Sequence, residues 1–322
     1  MQPVVRSWLG EDRPKQYCTF VGTRSMFEHT VDRARSIVPD DNIVSVIGPG
    51  HRKFLFGNEQ EKVPGLVVEQ PRVLGTAPGV FLPSAYVMAA EPGATILLLP
   101  SDHFVYPEER FCHHLTRACE LVESCPDRLV ILGAIPDRPE TDYGWIAPHG
   151  GGPIVSLTTS RQAKRVLHFR EKPGLLEADA LFREGCLWNT MIVAVKANTL
   201  WKLGQQYLPD LLNRLSAFRA LLRAFRSRGL FLDAEGEVLA RLYDDLKAAD
   251  FSRDFLQRAA DQMLVLPMEG VEWCDWGRPA RVTETLGRLG RRPAFEAQRP
   301  PFVRFIHENL SSAKVPAQEV KT

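Results

Sequence analysis

The sequence predicts an α/β fold: a doubly wound, mostly parallel sheet with a mixed-sheet insertion and a helical C-terminal part. Three observations predict it. Unbroken apolar runs, ATILLLP and RLVILG, suit strands buried on both faces, and helix-period segments separate them. After Asp137 short apolar runs alternate with Pro and Gly, as in an antiparallel or mixed insertion covering one end of a sheet. From Thr199 to about Ala249 helical spacing dominates. At 322 residues with 44% hydrophobic content the chain can bury a large core, so we expect one domain over 1–290 and a partly flexible extension over 291–322.

In chain order, SMFEHTVDRARSIV puts Met26, Phe27, Val31, Ala34 and Val38 on one helical face, with Ser25 and Glu28 spaced as a capping box. Ile43 to Ile47 reads as a buried strand closed by Gly48, Pro49 and Gly50. A helix around Pro83 to Ala90 leads into ATILLLP, and a helix from Glu108 to Ser124 leads into RLVILG. YLPDLLNRLSAFRALLRAF has Leu and Phe at the spacing of an amphipathic or buried helix, with Arg on its wet face. The tail after Arg299 is polar, and the chain carries no repeat of 20 to 50 residues.

Forty Lys and Arg stand against 39 Asp and Glu. That balance provides no overall field for nucleic acid or an anionic membrane, and it leaves room for a homo-oligomer. Six cysteines without a C-x-x-C pair suit a reduced intracellular protein, and no run approaches the roughly 18 apolar residues of a spanning helix. Charges in MQPVVRSWLGEDRPK fall where a signal peptide needs apolar residues, so the expected compartment is the cytoplasm. Gly-x-Ser-x-Gly and the P-loop pattern are absent, and Cys112, His113, His114 and Cys119 lack zinc-site spacing.

In open α/β sheets ligands gather beyond the carboxyl ends of the strands. LLLPSDHFV places Asp102 and His103 there, and a carboxylate so placed either holds Mg²⁺ against a phosphate or caps the next turn. Asp275 in VEWCDWG follows the apolar MLVLP and could share the same ion, or could simply serve a turn. Arg13 and Lys15 in EDRPKQY and Lys172 in HFREKPG are basic residues beside prolines, suited to meet phosphate or to sit in solvent. GTAPG, ETDYGW and CLWNT read as tight polar turns that allow a ligand's close approach.

The ordered series RPKQY, EQPRVLGTAPG, LLLPSDHFV, IPDRPETDYGWI, FREKP, WNT and WCDWG resembles the successive signatures of bacterial mannose-1-phosphate guanylyltransferases and related sugar-1-phosphate nucleotidyltransferases, from about residue 11 to about residue 286. The resemblance implies the nucleotide-diphospho-sugar transferase fold. It also implies transfer of a nucleotidyl group from a nucleoside triphosphate, GTP first, to a sugar 1-phosphate, mannose 1-phosphate first. By motif position Asp102 and Asp275 would hold Mg²⁺; Lys15, with Arg13, would face the triphosphate; Gln70, Gly75 and Thr76 would approach the base. Lys172 would orient the sugar phosphate, and Gly144, Glu171 and Asn189 would line the sugar pocket.

Relatives open with a strand and a Gly-Gly-x-Gly-x-Arg loop followed by Leu-x-Pro, which corresponds to Met1, Gln2 and Pro3 here. The expectation is that the native start lies upstream and supplies that loop. Asp142 stands where guanylyltransferases often carry Gly, and VLGTAP departs from their Arg-Asn-Thr-Ala-Pro, which leaves base specificity open. No cupin domain is recognisable, so the isomerase activity of fused relatives is not expected. A second reading keeps the fold and drops the chemistry: a catalytically silent module that binds a nucleotide sugar or a protein partner.

Overall fold

A computed structural model describes residues 5–6, 12–55, 63–150, 163–226 and 235–294. It comprises two compact units, residues 30–275 and residues 1–29 with 276–322. Of the expected extension 291–322, all beyond residue 294 lies outside the described residues.

Among the described residues, the larger unit is built on ten strands and the helices between them. Strands β1 (Val44–Ile47) and β2 (Leu66–Glu69) pair in parallel. The main sheet contains β3 (Thr95–Leu98), β5 (Leu129–Ala134), β6 (Trp145–Pro148), β7 (Lys164–Arg170), β8 (Leu187–Lys196) and β9 (Met263–Pro267), in the order β3-β8-β5-β9-β7-β6. Because β8 runs antiparallel to β3, β5 and β6, and β9 parallel to β5, four of these strands share one direction while β8 and β7 oppose it. A separate antiparallel ribbon joins β4 (Phe104–Tyr106) to β10 (Glu272–Cys274).

Alternation along β5 explains the two-sided cover. Leu129 and Ile131 enter one apolar cluster, whereas Val130 and Leu132 enter another. Successive side chains of a strand point to opposite faces, so the continuous apolar run is the mark of a sheet buried on both sides. The first cluster takes in helices α2 (Thr76–Ala90), α5 (Ala197–Tyr207), α6 (Pro209–Arg226) and α7 (Glu235–Asp244) through Phe81, Leu200, Leu215 and Tyr243. The second takes in α3 (Glu108–Ser124) and α4 (Leu175–Arg183) through Phe111, Leu115, Ala178 and Leu181.

Two boundaries differ from the sequence reading. Helix α2 begins at Thr76, so GTAPG is a helix entry and not a free turn. Pro78 falls in its first turn, where no N–H bond is needed, and Pro83 lies inside it, with Ser84 Oγ donating to the Val80 carbonyl at 2.7 Å. The Leu- and Phe-rich run is one helix, α6, from Pro209 onward; only its first residue, Tyr207, belongs to α5, which ends ahead of Leu208.

In the smaller unit, a 3₁₀ turn over Lys15–Tyr17 brings the Tyr17 ring within 5.8 Å of Phe27. The first turn of α1 (Met26–Arg35) carries the expected capping box: Ser25 N–H donates to Glu28 Oε2 at 2.6 Å and Glu28 N–H to Ser25 Oγ at 3.2 Å. Phe20 meets Trp276 edge-on at 5.4 Å, and α8 (Pro279–Arg288) buries Val282 and Leu286. Among the described residues no helix is long and apolar enough to cross a membrane.

Candidate active site

The β4–β10 ribbon sets the two candidate carboxylates. Phe104 pairs with Cys274 and Val105 with Trp273. Asp102, two residues before β4, and Asp275, one residue after β10, therefore flank the same end of the ribbon. The sequence reading tied Asp275 to MLVLP; three-residue β10 stands between them. Asp275 Oδ1 accepts a hydrogen bond from Tyr143 Oη at 2.9 Å. Asp102 Oδ1 lies 3.8 Å from His103 Nε2, and the His103 ring meets Trp273 edge-on at 5.2 Å.

Two hard carboxylates at one strand end fit Mg²⁺, which keeps several waters and takes phosphate oxygens rather than filling an all-protein cage. Among the described residues no group of three or more His, Cys, Asp or Glu is placed to hold a metal.

A second constellation lies where β5 meets β8. Gly133 pairs with Asn189 in the register of these strands, and the Asn189 N–H donates to the Gly144 carbonyl at 2.8 Å. A methyl group on Gly144 would stand 2.6 Å from Glu171 Oε2 and 3.2 Å from Asn189 Cβ, so the close approach requires glycine. Gly144, Glu171 and Asn189, far apart in sequence, thus meet at one place.

Glu171 is the least satisfied group there. Its side chain is 15% exposed, and Oε2 is buried without a hydrogen-bond partner among the described residues. Burial pushes its carboxyl up to about 7; Lys172 pulls it down, Asp250 pushes it up and Arg253 pulls it down. Lys172 Nζ is 4.0 Å from Glu171 Oε1, and the Lys172 side chain is 65% exposed. The Lys172 backbone is left-handed, φ 45°, as is that of Met191, φ 60°, and such strained positions concentrate at functional sites.

Residues 249–257 were missed by the sequence reading, yet they brace this cluster. Gln257 Oε1 accepts the Glu171 N–H at 3.1 Å, and Ser252 Oγ accepts from Asn189 Nδ2 at 3.2 Å. Asn189 Oδ1 accepts the Met191 N–H at 2.9 Å, so its amide also braces the left-handed backbone of Met191 on β8. Asp250 caps the single π-helical turn Phe251–Leu256 by accepting the Arg253 N–H at 2.8 Å. An Asp three residues before a capped N–H was the signal available in ADFSRDF.

The same segment engages Gly75 and Thr76. Gly75 has φ +90°, and a methyl there would sit 2.3 Å from the Ala249 carbonyl oxygen. Thr76 Oγ1 accepts the Phe251 N–H at 2.7 Å. Gln70, just past β2, accepts from Tyr243 Oη at 3.3 Å and lines a cavity of about 380 Å³ with Arg52, Glu69 and Glu235. Arg13 and Lys15 belong to the smaller unit, where Arg13 Nη1 donates to the Tyr17 carbonyl at 3.4 Å and Lys15 opens the 3₁₀ turn.

This architecture is shared with solved structures. It is similar to mannose-1-phosphate geranyltransferase from Thermus thermophilus, with TM-score 0.67 and 24% identity over 82% of this chain and 70% of that one. It is also similar to UTP-bound UGPase from Acinetobacter baumannii, with TM-score 0.50 and 15% identity over 94% and 92% of the two chains. At these identities the likeness is one of fold. Among curated proteins, mannose-1-phosphate guanylyltransferase of Salmonella montevideo is 28% identical over 270 residues, 82% of this chain and 53% of that protein. The chain spans about half the length of the curated relatives it matches. Residues 8–286 match the nucleotidyl transferase family model, and the chain belongs to that family.

Proposed function

We propose that this protein transfers a nucleotidyl group from a nucleoside triphosphate to a sugar 1-phosphate. GTP and mannose 1-phosphate are the first substrates to test, because curated relatives carry that name. In the reaction an oxygen of the sugar phosphate bonds to the α-phosphorus as the bond from that phosphorus to the β-phosphate oxygen breaks. The products are a nucleotide sugar and pyrophosphate.

Alignment and charge neutralisation suffice for such chemistry, and no protein nucleophile is needed. Asp102 and Asp275 would hold Mg²⁺, which when bound supplies charge neutralisation at the phosphates. Glu171 offers its unpartnered oxygen to a sugar hydroxyl, and Gly144, lacking a Cβ, lets that carboxylate pack against its backbone. Lys172, exposed and adjacent, supplies a point charge for the sugar's phosphate. Lys15 and Arg13 are assigned to the triphosphate by motif position. The cavity beside Gln70 is the candidate space for the base.

The observation that carries the reading is the convergence of Gly144, Glu171 and Asn189 around a buried, unsatisfied carboxylate. A panel of nucleoside triphosphates and hexose 1-phosphates, scored by pyrophosphate release with Mg²⁺, tests it. Sugar-dependent release is the expected result, whereas ligand binding with no release across the panel would leave a silent binding module.

A further inference from the structure

We propose that Tyr143 is a positioning residue that fixes the carboxylate of Asp275 in the orientation needed to hold a divalent cation. The proposal rests on the assignment of Asp275 as a metal-holding residue. Tyr143 is 5% exposed and wedged between two indoles, 5.0 Å from Trp188 at 71° and 5.1 Å from Trp273 at 64°. Rings clamped edge-on from two sides have little freedom to turn. The one polar atom of the side chain points at Asp275, donating to Oδ1 at 2.9 Å, with Cys274 Sγ at 3.7 Å.

Trp273, one jaw of the clamp, lies on β10 two residues before Asp275, and Val105 pairs with it from the strand that follows Asp102. The hydroxyl therefore references Asp275 to the ribbon that also sets Asp102. The phenol thus restrains Oδ1, one oxygen of the carboxylate, before a cation arrives. Tyr143 also precedes Gly144, whose carbonyl is held by the Asn189 N–H, so one dipeptide joins the carboxylate to the sugar pocket.

Groups that orient a metal ligand without touching the metal typically account for about 10- to 100-fold in affinity. The test is a Mn²⁺ titration of the full protein without nucleotide, with free Mn²⁺ read by electron paramagnetic resonance, for wild type, Tyr143→Phe and Asp275→Asn. The expected result is a Kd about 10- to 100-fold weaker in Tyr143→Phe, with loss of the site in Asp275→Asn. Wild-type affinity in Tyr143→Phe beside loss in Asp275→Asn would overturn the proposal and leave the metal assignment standing. Wild-type affinity in Asp275→Asn would remove the metal assignment and the proposal with it. Should Tyr143→Phe not fold, 3-fluorotyrosine at position 143 keeps the ring and strengthens the donor; a shifted Mn²⁺ Kd supports the proposal and an unchanged one contradicts it.

Discussion

Glu171 sits in a site that favours its neutral form, and that choice has a measurable cost. Its carboxyl titrates near 7 in the folded protein against 4.5 in the unfolded chain, so between those values the folded state binds more protons. Stability must then fall as pH rises through this window. With Lys172 and partial solvent access discounting the effect, a loss of roughly 1–2 kcal/mol is expected. Urea unfolding at pH 5 and pH 8 should show this loss in wild type and a smaller slope in Glu171→Gln. Ionised Glu171 is also the better acceptor for a sugar hydroxyl, so in wild type KM for the sugar phosphate should drop across pH 6 to 8 by more than in Glu171→Gln. Gly144→Ala places a methyl 2.6 Å from this carboxylate and 3.0 Å from Phe169 Cζ. It should raise the sugar-phosphate KM by about tenfold or more, equivalent to about 1.4 kcal/mol of lost binding, with the unfolding midpoint as control. That Gly144, Glu171 and Asn189 belong together was suggested by the order of their motifs, and the fold brings them into contact. Tyr143, Ser252 and Gln257 were not legible, since their contacts join positions whose meeting only the folded chain reveals.

Among the elements, the start of α1 was readable because Ser25 and Glu28 interact locally. Ser25→Ala should cost about 1 kcal/mol in equilibrium unfolding. The start of α2 was not readable, because Gly-Thr-Ala-Pro-Gly has the composition of a turn. What makes it a helix entry is distant: Ala249 receives the Ala77 N–H at 3.1 Å and Thr76 receives the Phe251 N–H at 2.7 Å. Gly75→Ala combines a left-handed φ of +90° with a methyl 2.3 Å from the Ala249 oxygen. It should destabilise by on the order of 1–3 kcal/mol, and an unfolding midpoint unchanged from wild type would contradict this account of the entry. Strands β4 and β10 were missed for a plainer reason. Three residues are too few to display a period of two, yet this ribbon aligns Asp102 with Asp275.

Across the whole molecule, the α/β class followed from strands apolar on both faces, and the two clusters on either side of β5 are the physical form of that signal. Strand direction was hidden. A strand buried on both sides presents the same composition whichever way it runs, so nothing in LWNTMIVAVK marked β8 as the antiparallel member between β3 and β5. That reversal matters to the site, since it brings Asn189 to the carboxyl end of β5, where the sequence reading expected ligands to gather. Motif order named Gly144, Glu171 and Asn189, and topology explains why they meet. The measurement that tests the account most directly is pyrophosphate release from GTP and mannose 1-phosphate with Mg²⁺, compared among wild type, Asp102→Asn and Asp275→Asn. Sugar-dependent release in wild type, reduced at least about 100-fold in each variant, is the predicted result. Release that proceeds at wild-type rate without either carboxylate would contradict it.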